Sequence, residues 1–451
     1  MLPRAILILS VYLLSVASTM PTTSAAESQP ELKILCTAVK TYDPLAWLMG
    51  NDRFSSDAKI FVSEGGAQRP LVLEFAETAD PAVSFDGKSV LFAAKPHAND
   101  SWQIWEIGLE EGNPRRVTQG KEDCIRPLYL PGARIVYARR VDGRFMIETS
   151  DMSGASMLPL TYISSNSIPS DVLRDGRILF ESGYPLGTDG SPEIYTVYSD
   201  GSGTESYRCD HGDARHGSKQ AKSGDIVFTA HHGLAKFTSA KAQQLSISAP
   251  VGDYAGGFAE TASGELLVSW RPNSLSAFRL MRWMPGSQKL VTVLARSGAN
   301  LIQPTLIQSR AVPNRHPSGL HDWPNANLLC LNAYTSKYQF AQGSIASVRL
   351  YTRGSDGRSR LLGTAPVERD GSFFVQVPSD QPLQIELVDA SGKSLKSESG
   401  FFWMRRGEQR GCVGCHAGPE TAPENAVPMV LLNSTTPADV TGSAAQSVGG
   451  H

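Results

Sequence analysis

Asp86-Gly87-Lys-Ser-Val-Leu-Phe92 joins a tight turn to a short apolar strand, and the chain repeats that pattern four more times. Pro131-Gly132-Ala-Arg-Ile-Val-Tyr137, Asp175-Gly176-Arg-Ile-Leu-Phe180, Ser223-Gly224-Asp-Ile-Val-Phe228 and Ser263-Gly264-Glu-Leu-Leu-Val268 follow. Their glycines lie 45, 44, 48 and 40 residues apart. Glycine supplies the positive φ that a tight hairpin turn demands, and the β-branched or aromatic run after it enters a core. A period of that size with several short strands per unit is the signature of propeller blades.

Within the units, Gln103-Ile104-Trp105-Glu106-Ile107 and Glu193-Ile194-Tyr195-Thr196-Val197 alternate polar and apolar residues, as half-buried strands do. Before the first full unit, Lys59-Ile60-Phe61-Val62 and Pro70-Leu71-Val72-Leu73 read as outer strands of an incomplete blade. Residues 301–308 supply its inner strand and close the ring, so a six-bladed β-propeller is expected over 56–310. The repeats resemble those of the TolB-like family. Pro81-Ala-Val-Ser84-Phe-Asp86-Gly87 matches its Pro-x-x-Ser-x-Asp-Gly.

After a linker at 311–327, a second β module is expected over 328–404. Ser347-Val348-Arg349-Leu350-Tyr351, Phe373-Phe374-Val375-Gln376-Val377 and Leu383-Gln384-Ile385-Glu386-Leu387 are strands, with turns at Asp356-Gly357, Asp370-Gly371-Ser372 and Ser391-Gly392. This reads as a small antiparallel β-sandwich, and the whole chain as mainly β.

The opening 26 residues carry Arg4, an apolar run from Ala5 to Val16 and small residues at Ser24-Ala25-Ala26, the three parts of a cleavable export signal. A lead-in segment spans 27–55. The apolar run is too short to span a bilayer comfortably and no second one follows, so no integral membrane segment is expected after cleavage. The mature chain is expected in the periplasm or otherwise exported. The net charge is −2, and no Lys/Arg stripe offers a surface for nucleic acid.

Cys412-Val-Gly-Cys415-His416, within a segment at 405–425, is the one motif with sharp chemical content. Two thiols one turn apart each add to a haem vinyl group, and the imidazole after the second reaches the iron. A zinc site needs a second ligand pair, a thioredoxin-like pair needs a βαβ setting, and a plain disulfide leaves His416 unexplained. One covalently attached haem c is therefore expected, with Cys412 and Cys415 as attachment points and His416 as the proximal iron ligand. Candidates for the opposite axial position are Met404, Met429, His316, His321 and the pair His231-His232. Phe401-Phe402-Trp403 is the nearest apolar wall, or else the last core strand of the sandwich. The remaining 426–451, rich in small residues and proline, reads as a flexible tail.

Asp370-Gly371-Ser372-Phe373, Val377-Pro378, Leu387-Val388-Asp389-Ala-Ser-Gly392 and Gly407-Glu408-Gln-Arg410-Gly-Cys412-Val-Gly-Cys415-His416 together resemble the hydrazine synthase alpha subunit and its relatives. The resemblance runs from about 56 to 425, strongest over 366–418. It implies a propeller, a middle β domain and a haem segment in that order, with Glu408 and Arg410 contacting haem propionates or a domain joint. The chain departs from that family in having a single Cys-x-x-Cys-His and no tyrosine after Tyr351.

Cys36, Cys124, Cys209 and Cys330 remain, and an oxidising compartment allows two disulfides among them. Cys124 with Cys209, both near blade boundaries, is the favoured pair. Three functions fit these residues: a mono-haem cytochrome passing electrons to other redox proteins or subunits of a periplasmic complex; a haem-dependent oxidoreductase subunit like hydrazine synthase alpha; and a propeller binding module with a structural or sensory haem.

Overall fold

The computed structural model describes residues 32–110, 112–208, 211, 214–231, 233–354, 357–415 and 425–442. The expected export signal, Cys209, His232 and His416 lie outside them.

Six four-stranded sheets follow one another along the chain. The second to sixth begin with the inner strands Glu77–Val83, Cys124–Leu130, Ser167–Val172, Arg215–Gln220 and Asp253–Glu260. Each inner strand touches the next, and Asn300–Leu306 packs against both the last and the first of them, so the ring is closed. The five turn glycines, Gly87, Gly132, Gly176, Gly224 and Gly264, all have φ between +77° and +98°. Each turn joins the inner strand to the second strand of its blade. Cores form between neighbouring sheets: Leu173, Leu179 and Ile194 of one blade meet Ile226, Phe228 and Phe237 of the next.

The closing blade differs from the sequence expectation in one strand. Its order is Asn300–Leu306, Ile34–Val39, Lys59–Glu64 and Ala67–Pro70. The supposed lead-in at 27–55 thus contributes the second strand, fully buried along its length. Lacking an Asp-Gly turn before it, Ile34–Val39 carries no repeat signal, yet it pairs on both sides.

Two further four-stranded sheets make the sandwich. One runs Ser359–Pro366, Ser347–Arg353, Leu383–Val388 and Ser394–Ser397, all antiparallel. The other is mixed rather than antiparallel: Gln409–Cys412 and Ala438–Asp439 flank Asn325–Cys330 and Phe373–Pro378 as parallel neighbours. Strands delivered by long connections are free to lie parallel, whereas tight hairpins are not. The sandwich therefore begins at 325, absorbs part of the segment expected to carry haem, and takes back part of the expected flexible tail. That tail forms the short helix Met429–Asn433, a strand and the buried Val440. Asp370 and Ser372 accept hydrogen bonds from the N–H groups of Met429 and Val430 at 2.7 and 3.0 Å.

Candidate functional site

The segment from Phe401 to Met404 is a seam between the two modules. Extended residues alternate sides, and here each side meets a different domain. Phe401 and Trp403 enter the propeller core with Leu160, Ile163 and Phe180, while Phe402 and Met404 join the sandwich core. Trp403 is wholly buried, and its indole N–H donates to Gly201 O at 3.3 Å. Phe401 N–H donates to Leu186 O at 2.7 Å. Of the expected aromatic wall, only Phe402 stands on the cysteine side.

Arg405 extends the seam, donating to Asp200 O of the propeller and to Asp380 of the sandwich at 3.1 and 2.9 Å. Glu408 is buried and accepts from the N–H groups of Arg405 and Gly203, at 2.8 and 3.2 Å, and from Arg410 at 2.6 and 2.9 Å. Glu408 and Arg410 thus serve the domain joint. Gly407 takes φ +69° with its backbone pressed against His321, where any side chain collides.

Beyond the joint the chain becomes the edge strand Gln409–Cys412, parallel to Asn325–Cys330, which sets Cys412 beside Cys330. Leu331 N–H donates to Cys412 O at 2.9 Å. Gly414 passes so close to Thr335 O that a Cβ would collide with it. Cys412 and Cys415 are free thiols, half-buried, against a sandwich cluster that includes Tyr334, Phe340, Leu395 and Phe402. Burial pushes the Cys412 thiol up, and burial with nearby Glu398 pushes Cys415 up to about 12. At neutral pH both are therefore protonated and chemically quiet. Free thiols at an apolar, partly open edge are the donor set that thioether attachment requires, so these residues fit a covalently held haem.

The other sequence candidates scatter. Met404 is fully buried in the sandwich core. His316 stacks on Tyr198 with ring centroids 3.8 Å apart, His321 stacks on Trp323 at 4.8 Å, and His231 occupies a blade turn at φ +48°. Met429, half-buried, opens the short helix beside Asp370 and Ser372, at the Cys330 end of its sheet. Cys36, Cys124 and Cys330 are buried free thiols. Cys124, favoured for pairing with Cys209, instead begins an inner propeller strand, its thiol 3.7 Å from Glu122 O. Two features escaped the sequence reading. Lys396 Nζ lies 4.2 Å from the centre of the Tyr338 ring, and Tyr184 stacks on His211 at 4.0 Å. Each joins residues of one module that lie far apart in sequence, with no local motif.

Residues 335–417 match the family described as the hydrazine synthase alpha subunit middle domain. Among solved structures, Kuenenia stuttgartiensis hydrazine synthase shares the fold with a TM-score of 0.79 and 17% identity, over 90% of this chain and 72% of that one. TolB from Acinetobacter baumannii is a more distant likeness, with a TM-score of 0.48 and 13% identity over 61% of this chain and 67% of its own. No curated protein matches the chain. The resemblance to hydrazine synthase alpha, seen in short motifs, thus extends to the architecture of most of the chain.

Proposed function

We propose that this chain, built like the hydrazine synthase alpha subunit, is an exported mono-haem c-type cytochrome that passes single electrons within a periplasmic redox complex. Cys412 and Cys415 form the two thioether links and His416 is the proximal iron ligand. The observation that carries this is the pair of free, half-buried thiols held on an apolar sandwich edge inside the family-matched region. A bound haem supplies one-electron redox chemistry, and one haem carries one electron. The protein's own part is to hold the motif still. The parallel strand pairing, the Gly414 contact and the Glu408–Arg410–Arg405 joint fix the edge against both modules. Partners are expected to be other redox proteins or subunits.

The likeness to hydrazine synthase favours a second reading, a haem-dependent oxidoreductase subunit. Carbon monoxide separates the two. Rapid binding to the reduced protein marks an open iron and supports the enzyme, whereas an unchanged six-coordinate spectrum supports electron transfer.

The decisive test is Cys412→Ala with Cys415→Ala, expressed beside intact cytochrome-maturation machinery. The unmodified chain is expected to stain for covalent haem on a denaturing gel and the double variant to lose the stain. A band that persists, or a colourless parent, refutes the proposal.

A further inference from the structure

Every inner strand of the propeller breaks register once against its neighbour, at Ala79/Ala82, Ile125/Leu128, Pro169/Asp171, His216/Lys219 and Tyr254/Phe258 in five blades and opposite Leu35/Thr37 in the closing one. Such bulges re-aim side chains, and here they ring the propeller axis. Three carry non-glycine residues in the left-handed region: Asp80 at φ +57°, Arg126 at +55° and Gln303 at +57°. That strain is held by staples from one bulge to the next. Gln303 Oε1 accepts the Asp80 N–H at 3.0 Å and Asp80 Oδ2 accepts the Arg126 N–H at 3.0 Å, while Glu181 Oε1, on the second strand of its blade, accepts the Ser218 N–H of a later bulge at 2.8 Å.

Arg126 breaks the sequence of staples. Its side chain only donates, and the next bulge offers Pro169, which has no N–H to be held. The guanidinium makes no hydrogen bond among the described residues, and its Nε is buried without a partner. The nearest carboxylate oxygen is Asp80 Oδ1, 3.7 Å away, and Asp80 is already gripped by Arg53 through two bonds of 2.9 and 2.7 Å. The Arg126 side chain keeps 25% of its surface exposed, facing a recess of about 70 Å³ that opens to solvent.

Ser170, Ser218, Lys219, Gly256 and Gly257 share that recess. Lys219 Nζ donates to Phe258 O at 3.2 Å, leaving two N–H groups over. The acidic neighbours are engaged: Glu181 by Ser218, and Asp171 by the N–H groups of Gln220 and Val172. Burial, with the charge of Arg126, holds His216 down at about 4, so it adds no third cation. Burial also pushes the Lys219 ammonium below its ordinary range, against the pull of Asp171, so Arg126 is the fixed cation of this solvent-open recess and Lys219 a second donor beside it.

We infer that the propeller axis is a binding site for a small carboxylate, held by the fork of Arg126 with Lys219. A planar pair of oxygens matches guanidinium geometry. A tetrahedral dianion would turn its second charge towards Asp80 and Glu181. So small a recess admits an anion of a few atoms rather than a drug-sized ligand or a polypeptide segment.

The test is calorimetric titration of the full chain with sodium acetate at low ionic strength, with sodium sulfate as the shape control. Saturable acetate binding is expected, weakened at least about tenfold in Arg126→Gln and unchanged in Arg69→Gln on an outer strand. The Cys412→Ala and Cys415→Ala chain is expected to bind acetate as the parent does, which separates this site from the haem proposal. Circular dichroism checks folding, and Lys219→Met decides the matter if Arg126→Gln does not fold. Equal affinity in parent and folded variant, equal binding of sulfate, or heats that never saturate overturn the inference.

Discussion

The propeller and the sandwich are both built from four-stranded sheets, but they are joined by opposite rules. In the propeller, every sheet except the closing one takes four consecutive strands, and the Asp-Gly type of turn recurs at each first hairpin. In the sandwich sheet that bears Cys412, neighbours come from 325, 373, 409 and 438, so its order says nothing about its sequence. Local order writes itself into a repeat. Non-local order does not. The candidate haem edge lies on the non-local side of that contrast, pinned to the local side by the seam at 401–405.

The largest test of the contrast is to cut the seam. Trp403→Ala removes a wholly buried indole that the sandwich's own chain inserts into the propeller core. A loss of about 4 kcal/mol is expected. Because the residue couples two modules, thermal unfolding should split from one transition into two, the propeller melting later. A single unchanged transition in calorimetry would mean that Trp403 contributes nothing to the coupling and that the modules are joined elsewhere.

How much of this was legible in advance follows from the same contrast. Gly87, Gly132, Gly176, Gly224 and Gly264 announce their blades because positive φ has a residue preference. Asn300–Leu306 was readable as the closing strand, since a ring of repeats needs one. Ile34–Val39 was not, because a buried strand paired on both sides needs neither a turn residue nor alternation. Cys412 and Cys415 were visible from spacing alone, whereas Cys330 beside Cys412 emerges only from parallel register. The aromatic run 401–403 offered two readings, and the alternation of sides that decides between them depends on which domain lies on each face. The tail was misread because proline and small residues look alike in a mobile segment and in one tied down by Asp370 and Ser372.

A pH titration sharpens the propeller side. His216 has its folded pKa lowered to about 4 against an ordinary 6.5, by burial and then by Arg126. Between those values the unfolded chain binds the proton and the folded chain does not. Stability is therefore fully present above pH 6.5 and is lost as the pH falls towards 4, by about 2–3 kcal/mol. His216→Asn should flatten that window in urea midpoints measured across it. A parent curve with no slope between these limits would place the imidazole in water rather than in the inner ring.

The smallest effect concerns the sandwich's last strand, and it asks whether the non-local sheet really takes the tail back. Val440 is buried, its N–H donates to Gln376 O at 3.0 Å, and it packs so closely on Gly363 that a Cβ there would meet it at 3.0 Å. Removing two buried methyl groups costs about 1–2 kcal/mol once the chain entropy of ordering a terminal segment is set against the contact. In the Trp403→Ala chain, where the two modules unfold separately, Val440→Ala should therefore lower the urea midpoint of the sandwich transition while leaving that of the propeller where it is. A tail without fixed contacts gives no shift at all, and a shift in both transitions would mean that the seam transmits stability from the far edge of the sheet. Only a drop confined to the sandwich agrees with an edge strand that belongs to one module and is recruited from the end of the chain.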